Sequence, residues 1–174
     1  MGLWASFNHG GYIHQSVNRD VFGLHPWMKR IFDNTTEAVD RKQGVRDSYL
    51  HAMRDGTHGQ TVSSAISMAN HHVRTGFGMA RYYINRGDGR NAYGTLGWVL
   101  HTLQDSTSPA HKYFQPWYGA KPSDPLAGGN RDWWRHVSQE WSKSQLNNGV
   151  YNATRYVWHM FYYRLVPASN VFIF

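Results

Sequence analysis

The sequence predicts an all-α fold with five to seven helices in a single domain that covers residues 1–174. Apolar residues recur at helical spacing over two long stretches, residues 61–83 and about 91–107. The segments around them hold the Gly, Pro and Asn residues that typically break helices. A chain of 174 residues with 41% apolar residues can bury one core, and no repeat, low-complexity tract or linker divides it.

The first half of the chain is predicted to hold short helical pieces before its first long helix. The expected elements are an irregular aromatic-rich arm over residues 1–27 with a short helix at about 13–22, a helical piece at 26–32, a helix capped by Asn34-Thr35-Thr36 and interrupted at Gly44, and a helical segment at 47–54 before the Asp55-Gly56 turn. The long helix at 61–83 follows because apolar residues fall on one of its faces, namely Val62, Ala65, Ile66, Ala69 and Val73.

The second half is predicted to alternate helices with longer loops. A loop at 86–91 precedes the helix at about 91–107, and residues 115–130 form a surface loop rich in proline and glycine. The remaining expected elements are a helix at 131–145, a break at Asn147-Asn148-Gly149 and a helix from about 150 to 165 that Pro167 stops.

Composition limits the chemistry that the chain can perform. The chain has no cysteine, so a disulfide scaffold and a thiolate metal site are excluded, whereas eleven histidines favour a metal site built from nitrogen and oxygen ligands. The net charge of +7 favours anionic partners such as phospholipid headgroups or nucleic acid. No window approaches about 20 apolar residues, so we expect no transmembrane helix. No signal-peptide pattern is present, so we expect either a cytosolic chain or one whose signal or larger carrier lies outside this sequence.

The segment Leu100–His111 concentrates polar residues at the end of a predicted helix. His101 and Asp105 are four residues apart, so their side chains share one face of that helix. Pro109 ends or bends the helix, and His111 follows on the turn. A buried His–Asp hydrogen bond is the alternative interpretation of the first pair.

A second pair, His136 and Glu140, repeats the spacing of four residues. Imidazole and carboxylate groups in this arrangement are typical of hydrolytic zinc sites. Zinc ions that share a bridging carboxylate stabilise both the attacking and the leaving oxygen of a phosphate diester. Asp105, in the middle of the central segment, is the expected bridge. The residues therefore predict a multinuclear zinc phosphodiesterase.

The string H-T-L-Q-D-S-T-S-P-A-H at 101–111 resembles the core motif of the zinc-dependent phospholipase C and S1/P1 nuclease superfamily. His136-V-S-Q-Glu140 is similar to the later His-x-x-x-Glu/Asp pair of that superfamily. The resemblance implies an all-helical domain around a cleft that holds two to three zinc ions. Glu140 favours the phospholipase C branch, whereas Gly128-Gly129-Asn130 is similar to an element of the nuclease branch.

The same resemblance implies further ligands upstream. Members begin with a Trp whose main chain binds zinc, and a His follows about ten residues later; Trp4 and His14 fit this spacing. Trp4 is not the first residue as written, so either Met1-Gly2-Leu3 is removed or this zinc site is built differently, with His9. A buried core tryptophan is the alternative for Trp4. For the Asp and His that come next we choose Asp40 and His51. The alternatives are Asp47 and Asp55 for the aspartate, and His71 and His72 for the histidine.

The implied ligand sets divide among three ions. One zinc is held by His111, His136 and Glu140. A second is held by His51, His101, Asp40 and Asp105. A third is bridged by Asp105 and held with His14 and the Trp4 main chain. Asp40 is implied to orient the attacking hydroxide or to act as the general base. Positive charge in the cleft is expected from Lys112, Arg131 and Arg135, for which a solvent-exposed position is the alternative. An aromatic wall is expected from Tyr113, Phe114, Trp117 and Tyr118, for which packing in the core is the alternative.

The predicted function is phospholipase C-like hydrolysis of glycerophospholipids at a membrane surface. The closest rival is an S1/P1-like nuclease that acts on single-stranded nucleic acid, and a different class is a basic helical binding module with structural histidines. The strings L-H-A-M-R and L-Q-D-S-T-S-P-A-H also resemble toxin domains at the C-termini of large bacterial secreted repeat proteins. That resemblance implies an antibacterial toxin, secreted or delivered by a larger carrier, with a small immunity protein as partner.

Overall fold

The computed structural model describes residues 26–119 and 143–172, and the all-α prediction is confirmed. Its elements in chain order are α1 (Pro26–Asp40), a 3₁₀ helix (Val45–His51), β1 (Arg54–Asp55), α2 (Val62–Asn85), α3 (Gly89–Asp105), β2 (Pro116–Trp117) and α4 (Lys143–Tyr162). None of the helices in these described ranges is both long and apolar enough to cross a bilayer.

Helix α3 lies at the centre of the fold. It packs against α1, α2, α4 and the 3₁₀ helix. Every residue from Val99 to Asp105 is buried, because neighbours cover this end of the helix on all sides. The polar residues at the carboxyl end of α3 are therefore enclosed by protein and need partners there.

The starts of α2 and α3 are fixed by side-chain caps. Thr61 accepts a hydrogen bond from the amide of Ser64, and Asp88 accepts one from the amide of Asn91. The cap at Asp88 explains why α3 begins at Gly89, slightly before the predicted start at about 91.

The predicted cap at Asn34-Thr35-Thr36 is wrong, because α1 runs through these residues without a break. Thr35 and Thr36 are buried. The Thr35 hydroxyl donates to the carbonyl of Ile31 one turn earlier, at 2.7 Å, so it is satisfied within the helix. Packing against the core thus overrides the local preference of these residues for a helix end.

The predicted break at Asn147-Asn148-Gly149 is also wrong, because α4 continues through it. A Cβ atom at Gly149 would lie 2.6 Å from the Cβ and Oγ1 atoms of Thr107. The glycine allows α4 to approach the turn after α3 closely, which no larger residue allows. Its role here is close packing and not chain reversal.

The segment at 47–54, predicted as helical, divides into two elements. The 3₁₀ helix ends at His51, and Ala52 adopts a left-handed conformation with φ 50°. The chain then enters β1, which pairs in parallel with β2 so that Arg54 lies opposite Pro116. This short pairing joins the chain just after His51 to the chain just after His111.

Candidate metal centre

Four polar side chains converge where α3 ends, and together they form the candidate metal centre. Asp40 is the last residue of α1, His51 is the last residue of the 3₁₀ helix, and His101 and Asp105 lie in the final turns of α3. His101 Nε2 lies 3.0 to 3.5 Å from each of the other three side chains, and His51 Nδ1 lies 3.0 Å from Asp105 Oδ2. Three of the side chains are buried, and that of Asp40 is 26% exposed.

Helix α3 supplies two members of the centre by local spacing alone. The Nε2 atom of His101 lies 3.0 Å from the Oδ2 atom of Asp105, one turn further along the helix. Both side chains are enclosed, His101 being 0% and Asp105 6% exposed. An imidazole and a carboxylate are thus held together in a dry environment.

The ring of His51 is oriented by a main-chain contact of the nitrogen that faces away from the centre. Its Nε2 atom lies 3.1 Å from the carbonyl oxygen of Lys42. A carbonyl only accepts, so Nε2 carries a proton and donates it. The Nδ1 atom then faces the centre, 3.0 Å from Asp105 Oδ2 and 3.2 Å from His101 Nε2. A carbonyl that fixes the outer nitrogen is typical of histidine metal ligands. Sequence reasoning missed Lys42 because its main chain makes this contact.

Asp40 contributes a carboxylate with one oxygen near His101 and the other without a hydrogen-bond partner among the described residues. Its Oδ1 atom lies 3.5 Å from His101 Nε2. Its Oδ2 atom is buried and has no hydrogen-bond partner among the described residues. A desolvated carboxylate oxygen is costly unless a cation or a donor binds it. This oxygen is therefore placed to receive a cation or a proton.

The charges around His51 favour a cation at the centre. Burial lowers the pKa of His51, but the hydrogen bond and the charge of Asp105, together with the charge of Asp40, outweigh it. The nearby His111 opposes them to a lesser degree. The net result is a pKa above the ordinary value for histidine, so the two carboxylates stabilise positive charge at this position.

The geometry fits a small divalent ion. Asp40, His51 and His101 can each offer one ligand atom to the same metal ion. Ligands at the usual 2.0–2.1 Å from a tetrahedral zinc lie about 3.3 Å from one another. His101 Nε2 lies 3.2 Å from His51 Nδ1 and 3.5 Å from Asp40 Oδ1, which brackets that spacing, and the ligand atoms of all three residues lie within 4.8 Å of one another. The nitrogen and oxygen donors suit zinc, although they do not identify the ion.

His111 is buried next to this group and contacts its main chain. The Nδ1 atom of His111 hydrogen-bonds the carbonyl oxygen of His51. Since the carbonyl only accepts, Nδ1 is the protonated nitrogen, and Nε2 carries the lone pair that a metal would need. The turn after α3 thus carries His111 back to the centre.

The alternative residues from the sequence are not part of the group. Asp47 lies in the first turn of the 3₁₀ helix. Asp55 bonds the main chain and ring of His58 in the loop after β1. His71 is exposed on α2, and His72 is partly buried on the same helix. The structure thus brings Asp40 and His51, and not these alternatives, to the end of α3.

Several predicted site residues lie outside the described ranges. They are Trp4, His9, His14, Arg131, Arg135, His136 and Glu140, together with the Gly128-Gly129-Asn130 element.

The aromatic residues after His111 divide into two kinds. Phe114 and Trp117 are buried, and the indole of Trp117 donates to the carbonyl of Gln43. These two residues pack in the interior and do not form an open wall. Tyr113 and Tyr118 are exposed, and the ammonium group of Lys112 lies over the ring of Tyr113.

A groove of about 850 Å³ between α2 and α3 was not predicted from the sequence. None of the four centre residues lines it. Its partly buried aromatic residues are Tyr49, Tyr83 and Trp98. Trp98 lies one turn before His101 on α3, and Tyr49 lies two residues before His51. Tyr49 and Trp98 thus lie on the same two elements as the two histidines of the centre.

Comparison of the chain with family models, with curated protein sequences and with solved structures found no match.

Proposed function

We propose that this chain is a zinc-dependent phosphodiesterase. The observation that carries the proposal is the convergence of Asp40, His51, His101 and Asp105 from three elements to ligand spacing. Four polar groups packed so closely, three of them buried, are costly to maintain unless they hold an ion or perform chemistry.

The donor set supports zinc as the ion. Two imidazoles and two carboxylates match the nitrogen and oxygen ligands of catalytic zinc sites. When bound, zinc would stabilise negative charge on phosphate oxygens and make hydroxide available at neutral pH. From the family resemblance, His111, His136 and Glu140 would hold another ion, and His14 with the Trp4 main chain would complete a third site.

The residues of the centre then have distinct roles. His51 Nδ1 and His101 Nε2 would hold the ion together with Asp105, whose Oδ2 atom lies 3.0 Å from both nitrogens. The Oδ2 atom of Asp40, buried without a hydrogen-bond partner among the described residues, accepts the proton of the attacking water. The Lys42 carbonyl keeps the His51 ring directed inward.

We propose glycerophospholipids as the substrate class, hydrolysed in the manner of phospholipase C. The net charge of +7 supports attraction to anionic headgroups. The similarity of His136-V-S-Q-Glu140 to the phospholipase branch supports the same choice. In this proposal the chain is an antibacterial toxin domain, secreted or delivered by a larger carrier, and a small immunity protein inhibits it.

A second candidate is hydrolysis of single-stranded nucleic acid by the same centre. The groove between α2 and α3 favours it, because Tyr49, Tyr83 and Trp98 offer aromatic faces along it. Bases stack on such faces without sequence preference. The positive net charge suits a phosphodiester backbone equally well.

Parallel assays on one zinc-loaded preparation test these proposals. We expect release of phosphocholine from phosphatidylcholine vesicles, and loss of that release in chelator and in His101→Ala. The exposed His159→Ala variant is the matched control and should keep full activity. Cleavage of single-stranded DNA alone would select the second candidate. Bound zinc without hydrolysis of either substrate would contradict a phosphodiesterase, and absence of zinc would favour a binding module.

A further inference from the structure

A buried hydroxyl joins the two elements that carry the histidines of the centre. Thr102 follows His101 on α3 and is 0% exposed. Its Oγ1 atom donates to the carbonyl oxygen of Leu50, the residue before His51, at 2.7 Å. The bond spans 52 residues of chain, and both of its ends lie one residue from an imidazole of the centre.

The hydroxyl is directed to this distant partner and away from its own helix. A threonine within a helix commonly donates to the carbonyl one turn earlier. In α3 that carbonyl belongs to Trp98 and lies 3.4 Å away, compared with 2.7 Å for Leu50. Since a hydroxyl has a single proton, the shorter contact is the one it makes.

The partner carbonyl lies at the end of the 3₁₀ helix, where the ladder of main-chain hydrogen bonds runs out. The amide of Met53 donates to Ser48 at 3.0 Å, so it does not serve Leu50. The next carbonyl, that of His51, accepts from His111. Two consecutive carbonyls beside the His51 ring are therefore held by side chains from α3 and the turn after it.

We propose that Thr102 is a positioning residue of the metal centre. Its hydroxyl fixes the main chain at Leu50. This contact holds the Nδ1 atom of His51 near the Nε2 atom of His101, at the separation of two ligands of one ion. Thr102 itself does not touch the ion. The inference rests on the proposed function, since it requires that the centre binds zinc.

Isosteric replacement tests this role. Thr102→Val keeps the shape and removes the donor, so the Leu50 carbonyl is buried without its partner. Loss of a contact that orients a metal ligand typically weakens metal binding by about 10–100-fold. We expect a decrease of that size in zinc affinity, measured by competition with a chromophoric chelator. Thr102→Ser keeps the hydroxyl and should restore most of the affinity.

A second buried threonine separates positioning from general stability. Thr154 on α4 is also 0% exposed, and it accepts from Gln104 on α3 at 2.7 Å. Thr154→Val should lower the thermal midpoint of the metal-free protein and leave zinc affinity unchanged. The absorption spectrum of bound Co²⁺ should change in Thr102→Val and not in Thr154→Val, because it reports the ligand geometry.

The outcomes distinguish the two proposals. If the native chain binds zinc and Thr102→Val binds it equally well, the positioning role is wrong and the metal centre stands. The positioning role is also wrong if Thr102→Ser is as weak as Thr102→Val, or if Thr154→Val weakens binding to the same extent. If the native chain binds no zinc, both proposals fail.

Discussion

The Nδ1 atom of His51 and the Nε2 atom of His101 lie 3.2 Å apart although fifty residues separate them in the chain. Both atoms also lie 3.0 Å from Asp105 Oδ2. Two imidazole nitrogens and one carboxylate oxygen at these separations have the spacing of ligands on one face of a metal coordination polyhedron. The predictions below follow from this triangle and from the packing that maintains it.

Zinc should stabilise the folded protein. A ligand that binds only the folded state at 100 times its Kd adds about 2.7 kcal/mol to the free energy of unfolding. For a domain of this size that corresponds to a rise of roughly 5–10 °C in the thermal midpoint. Calorimetry with added zinc, with magnesium and with chelator measures the effect. An equal rise with magnesium would contradict a site of imidazole and carboxylate ligands.

Asp40→Asn should impair both metal binding and turnover. The amide keeps the volume but loses the charge and the proton-accepting oxygen, so zinc affinity should fall by more than about 100-fold, the upper end for changes outside the ligand shell. If the bound ion is restored by excess zinc, the rate should remain lower by about 10²–10⁴ because a general base is absent.

Asp47→Asn is the matched control for Asp40→Asn. Asp47 is the neighbouring aspartate, on the first turn of the 3₁₀ helix and outside the centre. The Asp47→Asn variant should bind zinc and hydrolyse substrate like the native chain. If Asp47→Asn loses zinc while Asp40→Asn binds it as well as the native chain, the wrong aspartate is assigned to the centre.

His72 should make the metal-free protein sensitive to acid. Burial lowers the pKa of His72; the carbonyl of Trp98 opposes this shift, and charge on His101 and His71 adds to it. The folded state therefore takes up this proton less readily than the unfolded chain. His72 contributes stability above the unfolded value of about 6.5, and this contribution is lost as pH falls through the lower folded-state pKa.

Urea unfolding in chelator at pH 7.5, 6 and 5 measures this dependence. His72→Gln cannot titrate, so it should lose less stability than the native chain between the first and last of these conditions. His159→Gln, at an exposed position on α4, should follow the native chain. A His72→Gln curve parallel to the native one would show that another group is responsible.

Gly149→Ala should destabilise the fold although it lies within a helix. Its Cβ would meet Thr107 at 2.6 Å, and overpacking of this kind typically costs about 1–3 kcal/mol. Gly94→Ala in α3 meets no atom within 4 Å and should instead gain about 0.5–1 kcal/mol. Combining Gly149→Ala with Thr107→Ala should recover part of the loss. Chemical denaturation measures all three, and a stabilised Gly149→Ala would disprove the close contact.

The predicted helix breaks failed for a physical reason that the sequence does not carry. Thr35 and Gly149 have low helix propensity, and local rules place them at ends. In the structure Thr35 is buried against the core, and Gly149 gives room to Thr107. Contacts between distant segments decided both cases, whereas the class of the fold followed from periodicity alone.

The centre was accessible to sequence reasoning in unequal parts. The pair His101 and Asp105 follows from helical spacing, because neighbours four residues apart meet on any α-helix. Asp40 and His51 were chosen by resemblance, with rivals left open, because no local rule brings a residue to another 50 positions away. Their assembly depends on how α1 and the 3₁₀ helix pack on α3. Their role as metal ligands stays a prediction.

The metal content of the purified full chain and of its His101→Ala variant tests the central claim most directly. We predict at least one tightly bound zinc per native chain by elemental analysis, and loss of that zinc together with phosphodiester hydrolysis in His101→Ala. Asp105→Ala should behave in the same way. A native chain without stoichiometric zinc, or a His101→Ala variant that keeps its zinc and full activity, would contradict a metal centre at the end of α3.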